Sequence, residues 1–275
     1  MQIGISADEA AARSKPAAMP NNYLSAIILR HNGMPMPSPH TGRTRLAATS
    51  AASQRRPRGR PRTEESPASL EEIFEVALRA FATLGYDGVV LRTLNRELGG
   101  SHNLLNGRFG SKEALWYATV DWAFQPLVMR LATAFDPTLT DPLDQLRITM
   151  RTFLLYSAER PELLGLMNIE GRQDTERLSY VFNTYIAPAL EPVNRLLDHL
   201  ADCGRTRRVS LRTFHFLLAH GAAAPFTLGP LARHFDDADP LDPAEIEAHA
   251  DLAADLLIRA LENHECPTKK RGRDK

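Results

Sequence analysis

Apolar residues recur at helical spacing along most of the chain, and the pattern first becomes regular near Ser69. Ser69 and Glu72 have the spacing of a capping box, in which each side chain binds a free backbone N–H at the start of a helix. The apolar positions from Ile73 to Leu84 then follow the helical period, and Gly85 is suited to the left-handed conformation that ends a helix. The pattern therefore predicts a first helix from Ser69 to Gly85.

Two short helices and one long helix are predicted next. The second helix covers residues 91–98 and is ended by a pair of glycines. Ser101 is placed to cap a third helix that ends near Arg108, and Ser111 is placed to cap the long fourth helix. Beyond it, helical patterns separated by proline and glycine cover residues 142–159, 161–171, 174–202, 207–224 and 243–263. Because no run alternates as a strand does, the sequence predicts an all-α fold.

The two ends of the chain have a different composition. Residues 1–66 are rich in proline, serine, alanine and arginine without a helical period, which predicts a disordered arm, and residues 265–275 form a basic tail. Seven arginines and no acidic residue lie between positions 42 and 62, although the whole chain has a formal net charge of zero. Such an arm is typical of polyanion binding, and a solvated tail without a partner is the alternative.

Composition also bears on location. The chain has 2 cysteines and no apolar stretch that approaches the length of a membrane span, which favours a cytoplasmic protein with no membrane partner. The segment Tyr23–Leu29 loosely resembles a signal peptide but lacks a small-residue cleavage site. A flexible leader or an early start codon are the alternatives to export.

A short helix, a glycine-containing turn and a second short helix form the pattern of a helix-turn-helix, whose second helix fits the major groove of DNA. The residues at this place also resemble a known family. The run from Ile73 to Leu84, the sequence GYD at 85–87 and above all FGSKEAL at 109–115 resemble the DNA-binding domain of the TetR (tetracycline repressor) family. More weakly, residues 220–225 and 239–243 resemble C-terminal helices of some members.

The resemblance implies an organisation and a function. It implies a helix-turn-helix domain at 67–117 and a helical ligand-binding and dimerisation domain at 118–264, between the basic arm at 1–66 and the tail at 265–275 that composition predicts. The expected protein is a homodimeric, cytoplasmic, nucleoid-associated regulator without a cofactor. It is expected to repress transcription from a palindromic operator in double-stranded DNA until a small-molecule effector releases it.

The position of each residue in the motif implies its role on DNA. Ser101 and His102 begin the recognition helix and face the groove or its phosphates, and Asn103 and Asn106 can present amide groups to base edges. The residues expected to neutralise phosphates are Arg92, Thr93, Arg108 and Lys112. Surface charge without a partner is the alternative for the cations.

Four positions depart from the family pattern. Asn106 stands where a tyrosine usually contacts phosphate, Asn95 and Leu98 replace small alanines, and Gly100 replaces a valine. These changes lie in and around the recognition helix, so they bear on docking rather than on the fold. Upstream, Arg58, Arg60 and Arg62 lie in an RGRPR sequence that resembles an AT-hook core, which places arginines in a minor groove; a basic linker is the alternative.

The C-terminal domain is expected to bind the effector and to dimerise. Large and aromatic side chains suit an apolar cavity with a few polar groups, and core packing is the alternative for each. The candidate lining residues are Trp122, Met150, Phe153, Tyr156, Met167, Tyr180, Tyr185 and His215. For dimerisation we expect a stripe on helices 207–224 and 243–263 that comprises Leu211, Phe214, Leu218, Gly221, Ala222, Ala250, Ala253, Leu257 and Ala260.

Two other classes of function compete with this one. A helical architectural protein would use its basic arm to bind DNA without sequence preference. A metal-binding helical enzyme would need an assembled ligand set, for which His199 and Cys203, one turn apart, with Asp198 and Asp202 nearby, are the only candidates. The sequence has no nucleophile elbow, phosphate loop or dinucleotide fingerprint, so a non-enzymatic regulator is favoured.

Overall fold

The computed structural model describes residues 68–99, 103–136 and 138–263. Several predictions fall on residues outside these ranges: the disordered arm, its RGRPR sequence with Arg58, Arg60 and Arg62, the recognition-helix residues Ser101 and His102, and the basic tail. They stay predictions.

Four helices make up the N-terminal part of the described chain. They are α1 (Leu70–Gly88), α2 (Leu91–Glu97), α3 (Leu104–Phe109) and α4 (Lys112–Ala134). The predicted capping box begins α1, because the Ser69 N–H donates to Glu72 Oε2 at 2.7 Å and the Glu72 N–H donates to Ser69 Oγ at 3.1 Å. Ser111 likewise accepts the Ala114 N–H and begins α4 as predicted.

The remaining helices follow the predicted pattern closely. They are α5 (Pro142–Glu159), α6 (Pro161–Glu170), α7 (Glu176–Val181), α8 (Ala187–Asp202), α9 (Leu211–Phe216), α10 (Ala224–Thr227), α11 (Gly229–Ala232) and α12 (Pro243–Leu261). Apart from one isolated bridge between Thr206 and Glu262, the described residues contain no β-structure. The predicted all-α fold is confirmed.

Two segments are wound more loosely than an α-helix. Phe182–Ile186 joins α7 to α8, and Leu217–Ala222 extends α9; both have π-helical hydrogen bonding. Single π turns inside helices occur often at functional sites. Here the first one carries Tyr185 and the second one carries His220.

The core consists of two groups of buried side chains. The first, centred on Phe81, Leu105 and Trp116, joins α1–α4 to residues of α5, α6 and α7. The second, centred on Met150 and Leu200, joins α5 to α8, α9 and α12. The first group crosses the predicted domain boundary at residue 117, and α4 runs through that boundary without a break.

Gly85 allows α1 to approach α6. Its φ of +70° is in the left-handed region, as predicted, but a short turn to Gly88 follows it before α1 ends. A Cβ at this position would lie 3.1 Å from Ile169 Cγ2 on α6. The conformation therefore favours glycine, and a side chain here would press on Ile169, so Gly85 allows close packing of α1 on α6. In the described residues no helix is long and apolar enough to cross a bilayer.

Candidate DNA interface and effector region

The helices α2 and α3 form a compact helix-turn-helix. Leu94 of α2 is 3% exposed and Leu105 of α3 is 1% exposed, so each short helix is anchored in the first core by one leucine. Gly99, after α2, has a φ of +63°, as expected for the glycine that ends this helix. The two leucines leave the remaining face of α3 to solvent.

The recognition helix is described from Leu104, and the predicted cap Ser101 lies outside the described residues. Helix α3 begins at Leu104, and Asn103 at its N-cap position has φ −118° and ψ 12°, outside the helical region, with no side-chain cap bond. Instead, Asn95 Oδ1 on α2 accepts the Leu105 N–H at 3.0 Å. A buried side chain of the preceding helix thus satisfies a free donor at the start of α3, which fixes the two helices on each other.

The predicted base-reading and phosphate-binding side chains on and beside α2 and α3 are exposed. Arg92 and Thr93 are exposed near the start of α2, and Asn103, Asn106 and Arg108 are exposed on or beside α3. Between the two helices lies an open depression of about 350 Å³ lined by Leu91, Arg92, Asn95 and Asn106. The surface combines amide groups that can recognise base edges with guanidinium groups that can bind phosphate.

Arg108 and Lys112 have contacts of their own within the protein. Arg108 Nη1 donates to the Ala68 carbonyl at 2.9 Å, where the N-terminal arm leaves the domain. Lys112 Nζ donates to the carbonyls of Tyr86 and Val89 at 3.0 and 3.2 Å. The ammonium group of Lys112 therefore holds the turn between α1 and α2, a structural contact that the sequence does not reveal; phosphate binding by Lys112 stays a prediction.

Tyr86, near the end of α1, is contacted by side chains of α7 and α4. Two cations approach its ring: the Arg177 guanidinium carbon lies 3.9 Å from the ring centroid, and Lys112 Nζ lies 4.3 Å from it. Arg177, on α7, also donates to Glu170 Oε2 at 3.2 Å, and Glu170 is 4% exposed. A nearly buried ion pair thus fixes the guanidinium group against the end of α1.

The eight predicted effector residues do not share one place. Met150 lies in the second core, whereas Tyr156 and Tyr185 lie in the first, and Phe153 packs against both. The ring of Trp122 packs under the Arg160 guanidinium at 4.1 Å, and Met167 is half-buried against the first core. His215 lies elsewhere, on α9, where its ring contacts Phe216 and His220.

The tyrosine hydroxyls among these residues have the partners that burial requires. Tyr156 donates to the Ala123 carbonyl at 2.7 Å. Tyr180 and Tyr185 both donate to Asp121 Oδ1, at 2.7 and 2.6 Å. Sequence reasoning missed Asp121, although it is the single charged residue in the apolar run from Ala114 to Phe124 and so carried a signal.

Part of the predicted dimerisation stripe is buried within the protomer, and dimerisation through the rest of it stays a prediction. Phe214, Leu218, Ala250 and Ala253 are buried inside the protomer, where α9 and α12 pack against α5 and α8. On the outside, α12 presents Leu252 and Leu256. The end of α9 presents Phe216, and the start of the π turn presents Leu217. Each of these four side chains is at least half exposed. Gly221 and Ala260 of the stripe are exposed, so α9, its π turn and α12 have apolar or small residues on both their buried and their exposed faces.

The candidate metal ligands on α8 are engaged otherwise. Asp198 and Asp202 both form ion pairs with Arg208. Cys203 Sγ lies 3.8 Å from His199 Nε2, a contact between neighbouring turns of one helix end. In the described ranges no group of three or more histidine, cysteine or acidic side chains converges on a point where an ion could bind.

Comparisons with known proteins agree with this architecture. Residues 142–257 match the family described as Tetracyclin repressor-like, C-terminal domain. No curated protein matches the chain in sequence.

Solved structures with the same fold are distant in sequence. The ketosteroid transcriptional regulator KstR2 of Mycobacterium tuberculosis is 15% identical with a TM-score of 0.57, and the alignment covers 70% of this chain and 95% of that one. The TetR family transcriptional regulator PfmR of Thermus thermophilus is 23% identical with a TM-score of 0.51, covering 70% and 99%. A regulatory protein in the tetR family from Rhodococcus RHA1 is 16% identical with a TM-score of 0.52, covering 70% and 96%.

Proposed function

The chain belongs to the TetR family of transcriptional regulators, which are not enzymes, and from this premise we propose that it is a homodimeric repressor of a palindromic operator. In this proposal a small-molecule effector releases the operator, and the protein acts on the nucleoid in the cytoplasm. The observation that carries the proposal is the exposed face of α3. On the opposite side, Leu105 is buried in the core and its N–H donates to Asn95 of α2.

The chemistry of that face supports sequence-specific binding. Asn103 and Asn106 lie three residues apart and are both exposed, and each amide can donate and accept hydrogen bonds as a base edge requires. Arg92 and Thr93 at the start of α2 bind the flanking phosphates. The family's usual tyrosine is replaced by Asn106, so one contact to the backbone is exchanged for one that can read a base.

The exposed apolar side chains of α12 and of the end of α9 support a dimer. Leu252 and Leu256 lie one turn apart on α12 and are 59% and 58% exposed, and Phe216 is 57% exposed. Pairing of two such surfaces across a two-fold axis removes them from water and directs two copies of α3 to half-sites of one operator.

The contact at Tyr86 supports release by an effector. Arg177 approaches its ring from α7, and Lys112 approaches it from the start of α4. An effector that moves α7 relative to α4 therefore changes the support of the turn that joins α1 to α2. In a dimer, a small rotation at this point alters the spacing of the two recognition helices.

Selection of bound duplexes from a random library tests the proposal. The full chain is expected to enrich a two-fold symmetric sequence, and Asn106→Ala is expected to weaken binding of that sequence about tenfold and to relax the preference at one position of each half-site. The control is Gln125→Ala, which removes an exposed amide on α4 and leaves binding unchanged.

Two results would reject the proposal. An absence of any binding would reject DNA recognition itself. Binding without an enriched sequence, lost on deletion of residues 1–62, would favour an architectural protein that uses its basic arm.

A further inference from the structure

Asp121 on α4 is a carboxylate with no cation paired to it in the described part of the chain. Its Oδ1 accepts hydrogen bonds from Tyr180 and Tyr185, at 2.7 and 2.6 Å, and the side chain is half-buried. None of the ion pairs among the described residues involves Asp121. Protein charges withdrawn from water are ordinarily paired, so an unpaired one is a feature that needs a reason.

The two tyrosines do not cancel this charge. Burial, and then the hydrogen bond to Asp121, raises the pKa of both phenols, so each remains protonated and acts as a neutral donor. Two hydroxyl dipoles orient the carboxylate oxygen but add no positive charge. The cluster of Asp121 and its two tyrosines therefore retains a net negative charge.

Aromatic rings extend this cluster in two directions. The rings of Tyr117 and Tyr180 have centroids 4.7 Å apart, and those of Phe124 and Tyr185 have centroids 5.3 Å apart. The faces of aromatic rings attract cations, most strongly where water is excluded. A carboxylate among several such rings is the environment in which proteins bind organic ammonium groups.

A second polar group near the cluster also lacks a partner. Trp116 is fully buried, its ring centroid lies 5.2 Å from that of Tyr117, and its Nε1 has no acceptor among the described residues. A buried donor left unpaired costs about 1–3 kcal/mol. The aromatic run thus contains a carboxylate without a paired cation and, beside it, a buried N–H donor without an acceptor.

The backbone changes its winding at this place. Tyr185 belongs to the π turn Phe182–Ile186, and Tyr180 lies near the end of the short helix α7. The π turn separates α7 from α8, and such turns occur often at functional sites. Helix α7 carries Arg177, which approaches Tyr86 at the DNA-binding region.

We propose that Asp121 and the aromatic side chains around it bind a monovalent organic cation, in which an ammonium or amidinium group is attached to an apolar or aromatic body. This inference rests on the proposed function, since the cation is then the effector. The cationic group takes the place of the two phenol hydroxyls at Asp121, and Tyr180 and Tyr185 move away with α7. Arg177 follows, and the support of the turn after α1 changes.

Two probes of equal shape and different charge test this assignment. Phenyltrimethylammonium is cationic and tert-butylbenzene is its neutral isostere. Binding to the full chain is measured by quenching of the two tryptophans, Trp116 and Trp122, which lie in or beside the cluster. The wild type is expected to bind the cation about tenfold more tightly than the isostere.

Variants at Asp121 test the role of the charge. Asp121→Asn is expected to abolish the preference for the cation, and Asp121→Glu is expected to restore much of it. The control Asp174→Asn removes an exposed carboxylate from the loop before α7 and leaves the preference unchanged. Far-ultraviolet circular dichroism of each variant confirms that it is folded before binding is compared.

The outcomes separate this inference from the proposed function. Equal binding of both probes, binding of neither, or a preference that survives in Asp121→Asn would overturn the cation site. If the wild type still binds its selected duplex and a neutral or anionic compound releases it, the regulator stands and only the ligand class is wrong. A chain that binds no duplex rejects the proposed function, whatever the probes do.

Discussion

The helix-turn-helix and the region around Asp121 are held by different kinds of contact. In the helix-turn-helix, Asn95 accepts a hydrogen bond from a backbone N–H of α3, and Lys112 donates one to a backbone carbonyl of the turn between α1 and α2. Leu105 is buried beside them. In the region around Asp121, the contacts join one side chain to another, as between Asp121 and Tyr185. Bonds to the backbone fix one arrangement of helices, whereas bonds between side chains can be exchanged for bonds to a ligand. The first region is therefore suited to reading DNA and the second to sensing.

The largest expected effect comes from removing the apolar anchor of α3. Leu105→Ala leaves a cavity behind the recognition helix and is expected to lower the free energy of unfolding by about 2–5 kcal/mol. Urea denaturation monitored by circular dichroism measures it. Leu84→Ala, on α1 where the leucine is 59% exposed, is the matched control and is expected to change stability by less than about 0.5 kcal/mol. Equal effects of the two would mean that α3 is not anchored by Leu105.

The next effect concerns the ion pair beside Tyr86. Arg177→Leu removes the partner of the nearly buried Glu170 and is expected to cost about 3 kcal/mol, since an unpaired carboxylate remains. Arg195→Leu breaks the exposed pair with Glu191 and is expected to cost less than about 0.5 kcal/mol. Thermal unfolding at neutral pH measures the loss of stability in each variant. If Arg177→Leu loses no more stability than Arg195→Leu, the ion pair of Glu170 and Arg177 does not hold α7 against the end of α1.

A smaller loss of stability is expected from a change at Lys112, and it distinguishes support of the turn between α1 and α2 from phosphate binding. Lys112→Met keeps the length of the side chain but loses the bonds to the Tyr86 and Val89 carbonyls, so we expect a loss of stability of about 1–2 kcal/mol. If Lys112 also neutralises a phosphate, the slope of log affinity against log salt concentration falls by about 1. Arg108→Ala, measured by fluorescence anisotropy in the same series, gives the change in slope expected for a phosphate contact. A stable Lys112→Met protein would contradict the structural role.

The smallest expected effect is a dependence of stability on pH that comes from His215 in α9 and His220 in the π turn after it. Burial lowers the pKa of His215 and of His220, and the nearby His220 lowers that of His215 further. The unfolded chain then takes up protons at a higher pH than the folded chain does. The stability that these groups contribute is complete above their ordinary pKa of 6.5 and is lost as the pH falls below it.

The measurement is the urea midpoint of the wild type and of the double variant His215→Gln, His220→Gln between pH 7.5 and 5.5. The double variant is expected to lose less stability on acidification than the wild type. The exposed His234→Gln is the control. If the double variant loses as much stability on acidification as the wild type, the pKa values of His215 and His220 are not lowered in the folded protein.

The sequence predicted the elements of the fold better than the faces they present. Capping residues such as Ser69 and Ser111 act within one turn of the chain, so the starts of α1 and α4 could be read directly. The start of α3 could not, because its N–H group is satisfied by Asn95 from another helix. Asn95 nevertheless carried a signal, since it is a polar residue on the apolar face of α2.

The faces of α9 and α12 are ambiguous for a physical reason. A helix that packs inside its protomer and also exposes apolar residues is hydrophobic on two sides, and periodicity alone does not tell which side is buried. Phe214 and Phe216 illustrate this, since the first is 3% and the second 57% exposed. The contact between Arg177 and Tyr86 joins residues far apart in the chain and has no local pattern at all.

Binding of DNA by α2 and α3 is tested by amide hydrogen exchange of the full chain, with and without the duplex enriched by selection. We expect the duplex to slow exchange at residues 91–93 and 103–109, where the amides of α2 and α3 face DNA, and to leave exchange in α12 unchanged. Slowed exchange confined to α12 and the π turn after α9, or no change at residues 103–109, would contradict DNA binding by α2 and α3.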